Sequence, residues 1–150
     1  MSILSNDYDL IFLTETWLSE SVKSSEYFGD MYQVFRSLNG RKGRGILTAV
    51  SHKYSAKLIQ SDLPYPEIDL LIVKVSIGNV SLIVINLYFP PSTDTLIYES
   101  VFDYLEHSYE LSNNCIIVGD FNVPELVNRL HNNQNPTNSA FSDIKFKWYL

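Results

Sequence analysis

The sequence predicts one layered domain of α/β type, in which helices cover the faces of a β-sheet. Short apolar runs rich in β-branched and aromatic residues flank a tight-turn signal, Gly78-Asn79. A later segment changes to helical spacing, and the apolar run Cys115–Gly119 then returns to the strand pattern. Strands, a hairpin, one helix and a further strand, in that order, are typical of an α/β or α+β domain.

Length and composition indicate a folded protein with a single core. The 150 residues suffice for one domain, and a hydrophobic content of 45% argues against disorder. No apolar run is long enough to span a bilayer, and the first residues lack the pattern of a secretory signal. We therefore expect an intracellular protein, cytoplasmic or nuclear, that is neither secreted nor bound to a membrane.

The N-terminal half predicts four strands joined by polar loops. The segment from 19 to 30 is polar and poorly periodic, which predicts a loop, and the glycine-rich basic segment from 39 to 45 predicts a turn. The strands are short runs with β-branched and aromatic bias. They are Tyr8–Thr14, Tyr32–Ser37, Gly45–Ser51 and Ala56–Gln60.

The run from 68 to 89 predicts a hairpin whose arms lie inside a sheet. Gly78-Asn79 is the two-residue connection that a tight hairpin favours. Both arms are almost continuously hydrophobic, with Lys74 and Ser76 as exceptions. This pattern is typical of central strands that are covered on both faces.

The next segment predicts an amphipathic helix followed by the last clear strand. Ser92, Thr93 or Asp94 can cap the helix, and Asn113-Asn114 marks its end. The polar, Asn-rich tail from Glu125 onward is weakly patterned, and within it the residues 132–139 predict a loop. The apolar positions of the helix recur every four residues, at Ile97, Val101, Leu105 and Tyr109.

The charge distribution indicates one local region that can contact phosphate. A net charge of −6 argues against binding of nucleic acid by bulk charge alone. Four cations nevertheless fall within one short segment. We predict that three of them, Arg41, Lys42 and Arg44, form a nucleic-acid-binding loop, with Arg36 beside it.

Polar side chains interrupt three predicted strands near their ends. Side chains at strand ends gather along one rim of a layered sheet, where active sites commonly lie. Two carboxylates, amides and a phenol can together bind a divalent cation and a phosphate. These residues are Glu15 after the first strand, Asn86 and Tyr88 in the second hairpin arm, and Asp120 and Asn122 after the last strand.

Each of these residues also has an ordinary structural interpretation. Asp-x-Asn is a common turn composition, so Asp120 and Asn122 alone favour a turn. Glu15 alone fits a solvated acid in a loop, and Tyr88 before two prolines fits packing. The compatible chemistry of three strand ends is what favours a functional site.

Cysteine and histidine chemistry is not indicated. The single cysteine, Cys115, cannot form an intrachain disulfide, and the Ile-Ile-Val run after it favours a buried, unreactive thiol. His52, His107 and His131 have no sequence neighbours typical of a triad or a metal site. We therefore assign no catalytic role to these residues and expect no disulfide partner.

Four segments together resemble a known family. LIFLTETWL, GRGILTAV, INLYFPPS and IIVGDFNVP occur in the order and approximate spacing of the endonuclease/exonuclease/phosphatase superfamily. They are most similar to the endonuclease domain of non-LTR retrotransposon polyproteins, over a span from Tyr8 to Pro124. The resemblance implies a four-layered α/β sandwich of the DNase-like type, of which this chain carries the N-terminal part: a two-sheet β core with flanking helices.

The resemblance also implies an activity and roles for individual residues. It implies hydrolysis of DNA phosphodiester bonds with Mg²⁺, or alternatively Mn²⁺, and a reverse-transcriptase domain downstream in the full polyprotein. Glu15 matches the family's metal-binding glutamate. Tyr88 matches the tyrosine at the scissile phosphate or its metal environment. Asp120 matches the aspartate that orients or activates water, Asn122 matches an asparagine that helps hold the phosphate, and Asn86 takes a supporting position.

The chain departs from the family pattern at both ends. The family places an asparagine on a strand upstream of the glutamate, and too few residues precede Asp7 for that strand. The family's Ser-Asp-His motif is missing between Pro124 and Leu150. We therefore expect a partial domain over residues 1–150, with its motifs in 8–124 and an unassigned tail in 125–150. We expect weak or no activity for this chain alone, which leaves open whether it is an enzyme. A non-catalytic nucleic-acid-binding remnant and a phosphatase of the same superfamily are the alternatives.

Overall fold

Eight strands and two helices are present in the described part of the chain, residues 8–37, 44–109, 114–122 and 146–149 of the computed structural model. The helices are α1 (Ser25–Phe28), which continues into a 3-10 turn (Gly29–Met31), and α2 (Thr95–Tyr109). The strands are β1 (Leu10–Leu13), β2 (Tyr32–Ser37), β3 (Ile46–Ser51), β4 (Ser55–Gln60), β5 (Asp69–Ile77), β6 (Val80–Tyr88), β7 (Cys115–Asp120) and β8 (Phe146–Tyr149).

The strands form two four-stranded sheets. The first sheet has the order β2-β3-β1-β8, and the second sheet has the order β4-β5-β6-β7. Strand β1 pairs with β8, and β6 with β7, in parallel, whereas the other neighbours are antiparallel. The parallel β6–β7 pair is connected through α2, as a parallel pair requires a crossover.

The predicted strands and hairpin are confirmed with small changes of their ends. Strands β5 and β6 are joined by the two-residue turn Gly78-Asn79, and they are the two central strands of the second sheet. The predicted basic turn lies largely outside the described residues, as do residues 110–113 at the expected end of the helix.

One prediction about loops is wrong, since the segment from 19 to 30 contains α1 and part of the 3-10 turn. The loop predicted at 132–139 lies outside the described residues, and β8 lies in the tail that the sequence pattern left unassigned. Phe28 is the buried residue of α1, and it packs against Ile11 and Leu47 on the outer face of the first sheet. A single buried side chain cannot generate a helical period, which is why the sequence pattern did not predict this helix.

The inner faces of the two sheets pack against each other and form the central core. Leu10 and Phe12 of β1 contact Val73 and Val75 of β5 and Val84 of β6, all buried. These residues alternate along their strands with residues that face outward, as the two-residue period of a strand requires. Polar residues described below extend this inner face toward one end of the sheets.

Helix α2 covers the outer face of the second sheet. Val101 and Leu105 are fully buried against Ile85. The Leu96 N–H donates to Asp94 Oδ1 at 2.8 Å, so Asp94 caps the helix, as one of the three predicted candidates. Helix, sheet, sheet and helix thus form four layers. Among the described helices, none is long and apolar enough to cross a membrane.

The backbone at Gly119 leaves no room for a side chain beside β6, immediately before the candidate site. Its φ is +142°, and a Cβ added there would lie 1.7 Å from the Leu87 carbonyl oxygen. Leu87 and Gly119 are register partners, so the contact is between paired backbones that cannot rotate away. Glycine is therefore required where the strand delivers Asp120 to the end of the sheet.

Gly119→Ala is expected to lower the free energy of unfolding by about 3 kcal/mol or more, because a strained φ combines with a backbone clash. Gly78→Ala is the matched control: its φ is +57°, and nothing in the described part of the chain lies within 4 Å of an added Cβ. We expect the control to lose only about 1 kcal/mol. Urea denaturation followed by circular dichroism measures both values. Equal losses would show that the backbone at position 119 does not require glycine.

Candidate active site

Three polar residues of the second sheet lie in one cross-strand row. Tyr88 of β6 pairs with Asp69 of β5 on one side and with Asp120 of β7 on the other. Paired residues on neighbouring strands project to the same face of a sheet. Tyr88 packs with Ile46 of the first sheet, so this face is the inner one. The hairpin register and the parallel β6–β7 pair thus bring a phenol and two carboxylates together at the end of the core.

Glu15 reaches this row from the first sheet. It follows β1 and has a φ of +48°, in the left-handed region that few residues other than glycine adopt. The next residue, Thr16, donates its N–H to the Gly45 carbonyl oxygen at 2.9 Å, which holds this segment beside the start of β3. Glu15 Oε1 accepts a hydrogen bond from the Tyr88 hydroxyl at 2.5 Å. The two sheets are therefore joined at the candidate site by a charge-assisted hydrogen bond.

Tyr88 is held in its neutral, hydrogen-donating form. The pKa of Tyr88 is raised to about 12, first by burial and further by the hydrogen bond to Glu15 and the charges of Glu15 and Asp120. The positive charge of Arg44 opposes it and lowers the pKa of Tyr88. Glu15, Asp120 and Arg44 are thus close enough to Tyr88 to act on its ionisation. Near neutral pH the phenol is a donor and carries no charge.

Asp120 and Asn122 form a turn that several hydrogen bonds hold in place. The Asn122 N–H donates to Asp120 Oδ1 at 3.0 Å, which is an Asx turn, and Asn122 has a φ of +47°. Asn122 Nδ2 donates to the Phe89 carbonyl oxygen at 2.8 Å, and the Tyr98 hydroxyl donates to the Phe121 carbonyl oxygen at 2.6 Å. The amide nitrogen of Asn122 therefore contacts the backbone, and the predicted contact of Asn122 with a phosphate stays a prediction.

Asn86 ties the two sheets together one row deeper in the core. Its side chain is fully buried, and Nδ2 donates to the Leu47 carbonyl oxygen at 3.0 Å and to Thr48 Oγ1 at 3.4 Å, both on β3. Its Oδ1 has no hydrogen-bond partner among the described residues. Asn86 is thus placed to support the alignment of the sheets beneath Tyr88, and it does not reach the exposed part of the site.

The predicted basic loop is described only at its end. Arg41 and Lys42 lie outside the described residues. Arg44 is partly exposed, and its Nη1 donates to the Pro66 carbonyl oxygen at 3.4 Å. Since the charge of Arg44 lowers the pKa of Tyr88, this cation lies within electrostatic reach of the candidate site.

Cys115 and the described histidines lie away from this chemistry. Burial raises the pKa of the Cys115 thiol, in agreement with the predicted unreactive cysteine. His52 is exposed, and the exposed His107 ring contacts the Asp103 carbonyl oxygen on its own helix through Nδ1, at 2.7 Å.

The donor set fits a hydrated Mg²⁺. Within the described residues, no three His, Cys, Asp or Glu side chains are grouped as a metal cage would require. Mg²⁺ keeps several waters, however, and is commonly held by one or two carboxylates together with a substrate phosphate. Glu15 is an exposed carboxylate with only one oxygen bonded to Tyr88, and Asp120 is partly exposed in the adjoining row. These residues can therefore bind a water-bearing cation at an open site.

Sequence reasoning missed Asp69. This carboxylate is completely buried, and its Oδ2 accepts a hydrogen bond from the Gly45 N–H at 3.2 Å. At the start of a hydrophobic run it reads as an ordinary polar boundary. Counting outward from the turn Gly78-Asn79 along the hairpin would have placed it opposite Tyr88, so a usable signal was present.

The fold has counterparts among solved structures. No protein-family model matches the chain, and no curated protein matches it in sequence. TDP2 from C. elegans matches with a TM-score of 0.56 and 15% identity, over 86% of this chain and 41% of that one. TDP2 from D. rerio, complexed with single strand DNA product, matches with a TM-score of 0.53 and 18% identity, over 80% of this chain and 51% of that one. The endonuclease domain of TRAS1, a telomere-specific non-LTR retrotransposon, matches with a TM-score of 0.48 and 19% identity, over 65% of this chain and 43% of that one.

These comparisons establish the fold. The two TDP2 matches carry this conclusion, and with them the predicted architecture, part of a four-layered α/β sandwich, is confirmed. The chain spans about half or less of the TDP2 chains that it matches, 41% and 51% of their lengths.

Glu15→Gln is expected to lower the pKa of Tyr88 from about 12. The carboxylate accepts the phenol's hydrogen and repels the phenolate, so its neutralisation favours ionisation, while burial keeps the pKa of Tyr88 above the ordinary value. Ultraviolet absorbance of phenolate, with the Tyr88→Phe titration subtracted, measures this pKa. Glu20→Gln, at an exposed acid of the same loop, is the control and should leave it unchanged. An unchanged pKa in Glu15→Gln would contradict the hydrogen bond.

Proposed function

We propose that this chain carries the metal-binding and water-activating part of a site for Mg²⁺-dependent phosphodiester hydrolysis, of the endonuclease type. The observation that carries the proposal is the hydrogen bond from Tyr88 to Glu15, which joins the sheets with Asp120 in the same row. A phenol and two carboxylates from three strand ends converge where packing alone would favour apolar residues. We also propose that residues 1–150 belong to one such domain.

Glu15 is the proposed metal ligand. Tyr88 occupies Oε1, which orients the carboxylate and leaves Oε2 available to the ion. Mg²⁺, or Mn²⁺ in its place, supplies charge that offsets the negative charge developing on the phosphoryl oxygens. Because Tyr88 stays neutral, its hydroxyl donates to Glu15 and does not add a third negative charge to the site.

Asp120 is the proposed general base. Its Oδ1 accepts the Asn122 N–H, which fixes the carboxylate and leaves Oδ2 to accept a proton from water. The water oxygen attacks phosphorus, the bond to the leaving oxygen breaks, and the water proton passes to Asp120. The proposed role of Asn122 is to hold the turn in shape through its bond to the Phe89 carbonyl oxygen. Asn86 supports the site from within the core, through its bond to the Leu47 carbonyl oxygen.

DNA is the proposed substrate. The D. rerio TDP2 with which this chain shares its fold was complexed with single strand DNA product, and that observation belongs to that protein. Arg44 adds a cation at the edge of the present site, where a phosphate backbone can approach. A reverse-transcriptase domain downstream stays a prediction of the motif resemblance. A phosphatase of the same superfamily stays an alternative that substrate preference decides.

Asp120→Ala is expected to reduce Mg²⁺-dependent nicking of supercoiled plasmid by about 10²-fold, because a general base typically contributes at least that much. Nicking by the unmodified chain is expected to be slow and to stop when EDTA removes the metal. Asp103→Ala, at an exposed aspartate of α2, is the matched control and should nick at the original rate.

Two results would contradict the proposed catalysis. One is nicking that survives Asp120→Ala or EDTA. The other is the absence of both nicking and Mg²⁺ binding, as measured by titration calorimetry, from a chain whose circular dichroism shows that it is folded.

A second candidate function is nucleic-acid binding without catalysis. Its supporting observation is Arg44, a partly exposed cation whose charge reaches Tyr88. A cation at this position contacts a phosphate with or without a bound metal, whereas Glu15 repels one. The two functions therefore differ in which residue the affinity for DNA requires.

Arg44→Ala is expected to weaken binding of a labelled oligonucleotide several-fold and to reduce the salt slope of binding by about one, as the loss of one phosphate contact predicts. Glu15→Gln should leave binding intact or strengthen it in the absence of Mg²⁺. Fluorescence anisotropy at several salt concentrations measures both. Lys57→Ala, at an exposed cation on β4, is the control. Equal losses in Arg44→Ala and Lys57→Ala would indicate bulk charge and not a local contact.

A further inference from the structure

Asp69 is a buried carboxylate that the proposed chemistry does not use. It is 0% exposed, although it stands at the first position of β5, beside the candidate site. Burial of a carboxylate is costly unless hydrogen bonds compensate for the lost water. A hydrophobic residue would complete this strand more simply, so the retained acid calls for a specific role.

One hydrogen-bond partner of Asp69 stands at the entry to the other sheet. Asp69 Oδ2 accepts the Gly45 N–H at 3.2 Å, and Gly45 leads directly into β3. Gly45 has a φ of +110°, and a Cβ added there would lie 3.0 Å from Thr16 Oγ1. The peptide that Asp69 holds is therefore packed tightly against the segment that follows β1.

This contact continues to Glu15. Gly45, bonded to Asp69 through its N–H, accepts the Thr16 N–H through its carbonyl oxygen at 2.9 Å. Thr16 is the neighbour of Glu15 in the chain, and Glu15 accepts the Tyr88 hydroxyl at 2.5 Å. Tyr88 is in turn the cross-strand partner of Asp69. Asp69, Gly45, Thr16, Glu15 and Tyr88 thus form a closed ring that crosses between the sheets twice.

The ring explains how Glu15 keeps an unfavourable backbone conformation. Glu15 and Trp17 both have positive φ, at +48° and +53°. Residues other than glycine incur a conformational cost in this region and persist there only where the surroundings determine them. Thr16 stands between Glu15 and Trp17 in the chain, and its N–H donates to the Gly45 carbonyl oxygen. Asp69 in turn fixes Gly45 by accepting the Gly45 N–H.

We propose that Asp69 is a positioning residue for Glu15, which acts through Gly45 and Thr16 and sets where the metal-binding carboxylate stands above Tyr88. Asp69 touches neither metal nor substrate in this role. The metal part of the inference rests on the proposed function of Glu15, whereas the ordering of the Glu15 segment does not. Because Gly45 follows Arg44 in the chain, the same bond also limits where that cation can lie.

The test compares Asp69→Ala with Asp69→Asn, Val73→Ala and Thr16→Ala. Asp69→Ala removes the acceptor, and Asp69→Asn keeps an oxygen that can still accept the Gly45 N–H. Val73 lies on the same strand and is buried in the central core, so Val73→Ala makes a cavity that does not touch the ring. Thr16→Ala keeps the backbone N–H that the ring uses.

Two quantities are measured for each variant. The first is the amide exchange rate of Gly45 and Thr16 by NMR, relative to amides of β5 and β6. The second is the affinity for Mg²⁺, by calorimetry with MgCl₂ alone and as the Mg²⁺ concentration that half-saturates nicking. Asp69→Ala is expected to accelerate both amides and to weaken Mg²⁺ binding by about tenfold, the worth of one hydrogen bond. Nicking at saturating Mg²⁺ should change little, Asp69→Asn should recover part of the loss, and Val73→Ala and Thr16→Ala should resemble the unmodified chain.

The outcomes separate this inference from the proposed function. Slow exchange of Thr16 in Asp69→Ala overturns the positioning role, as does an equal effect of Val73→Ala. Should Asp69→Ala not fold, Asp69→Asn decides in the same way. A smaller acceleration of amide exchange that is confined to Gly45 and Thr16 supports the positioning role, and unchanged exchange overturns it. A chain that binds no Mg²⁺ overturns the proposed function, while amide exchange still decides whether Asp69 orders the Glu15 segment.

Discussion

The candidate site depends on the alignment of two sheets, because the hydrogen bond from Tyr88 to Glu15 forms only when the two sheets are aligned. Glu15 belongs to the first sheet, whereas Tyr88 and Asp120 belong to the second. A shift of one sheet over the other by a single residue position would separate the phenol from its carboxylate, since residues along a strand are about 3.3 Å apart. The site therefore exists only in one registration of the packed faces.

Apolar packing alone does not select that registration, because hydrophobic contact is not directional. Asn86 supplies direction from within the core. Its Nδ2 can reach the Leu47 carbonyl oxygen and Thr48 Oγ1 in only one alignment of the sheets, while its Oδ1 has no partner among the described residues. An unpaired buried oxygen costs about 1–3 kcal/mol. A leucine at this position would leave no polar atom unpaired, but it would not define the alignment of the sheets. Asn86 thus fixes how the sheets align beneath Tyr88 at a cost in stability.

The sequence pattern predicted those features that depend on residues close together in the chain. The β5–β6 hairpin could be predicted because two covered strands and a Gly-Asn turn are encoded within one short run, and Glu15, Tyr88 and Asp120 were visible as polar interruptions. Asp69 was missed because it resembles an ordinary polar boundary at the start of a hydrophobic run, and only its register opposite Tyr88 in the hairpin distinguishes it. Its bond to Gly45, 24 positions away, leaves no local pattern in the sequence. The direction of a side chain was also beyond reach, since no pattern in the sequence indicates that Asn122 Nδ2 donates to the Phe89 carbonyl oxygen.

The electrostatics of the row link metal and substrate in the proposed function. Glu15 and Asp120 both raise the pKa of Tyr88, so their negative charges act on the same small volume, and Arg44 opposes them from one side. A phosphate that approaches this volume meets repulsion from both carboxylates. A divalent cation reverses that balance, since it offsets the carboxylates and attracts the phosphate. Binding of ion and phosphate should therefore be mutually favourable, and the neutral state of Tyr88 is what allows it, because a phenolate would add a third negative charge beside Glu15.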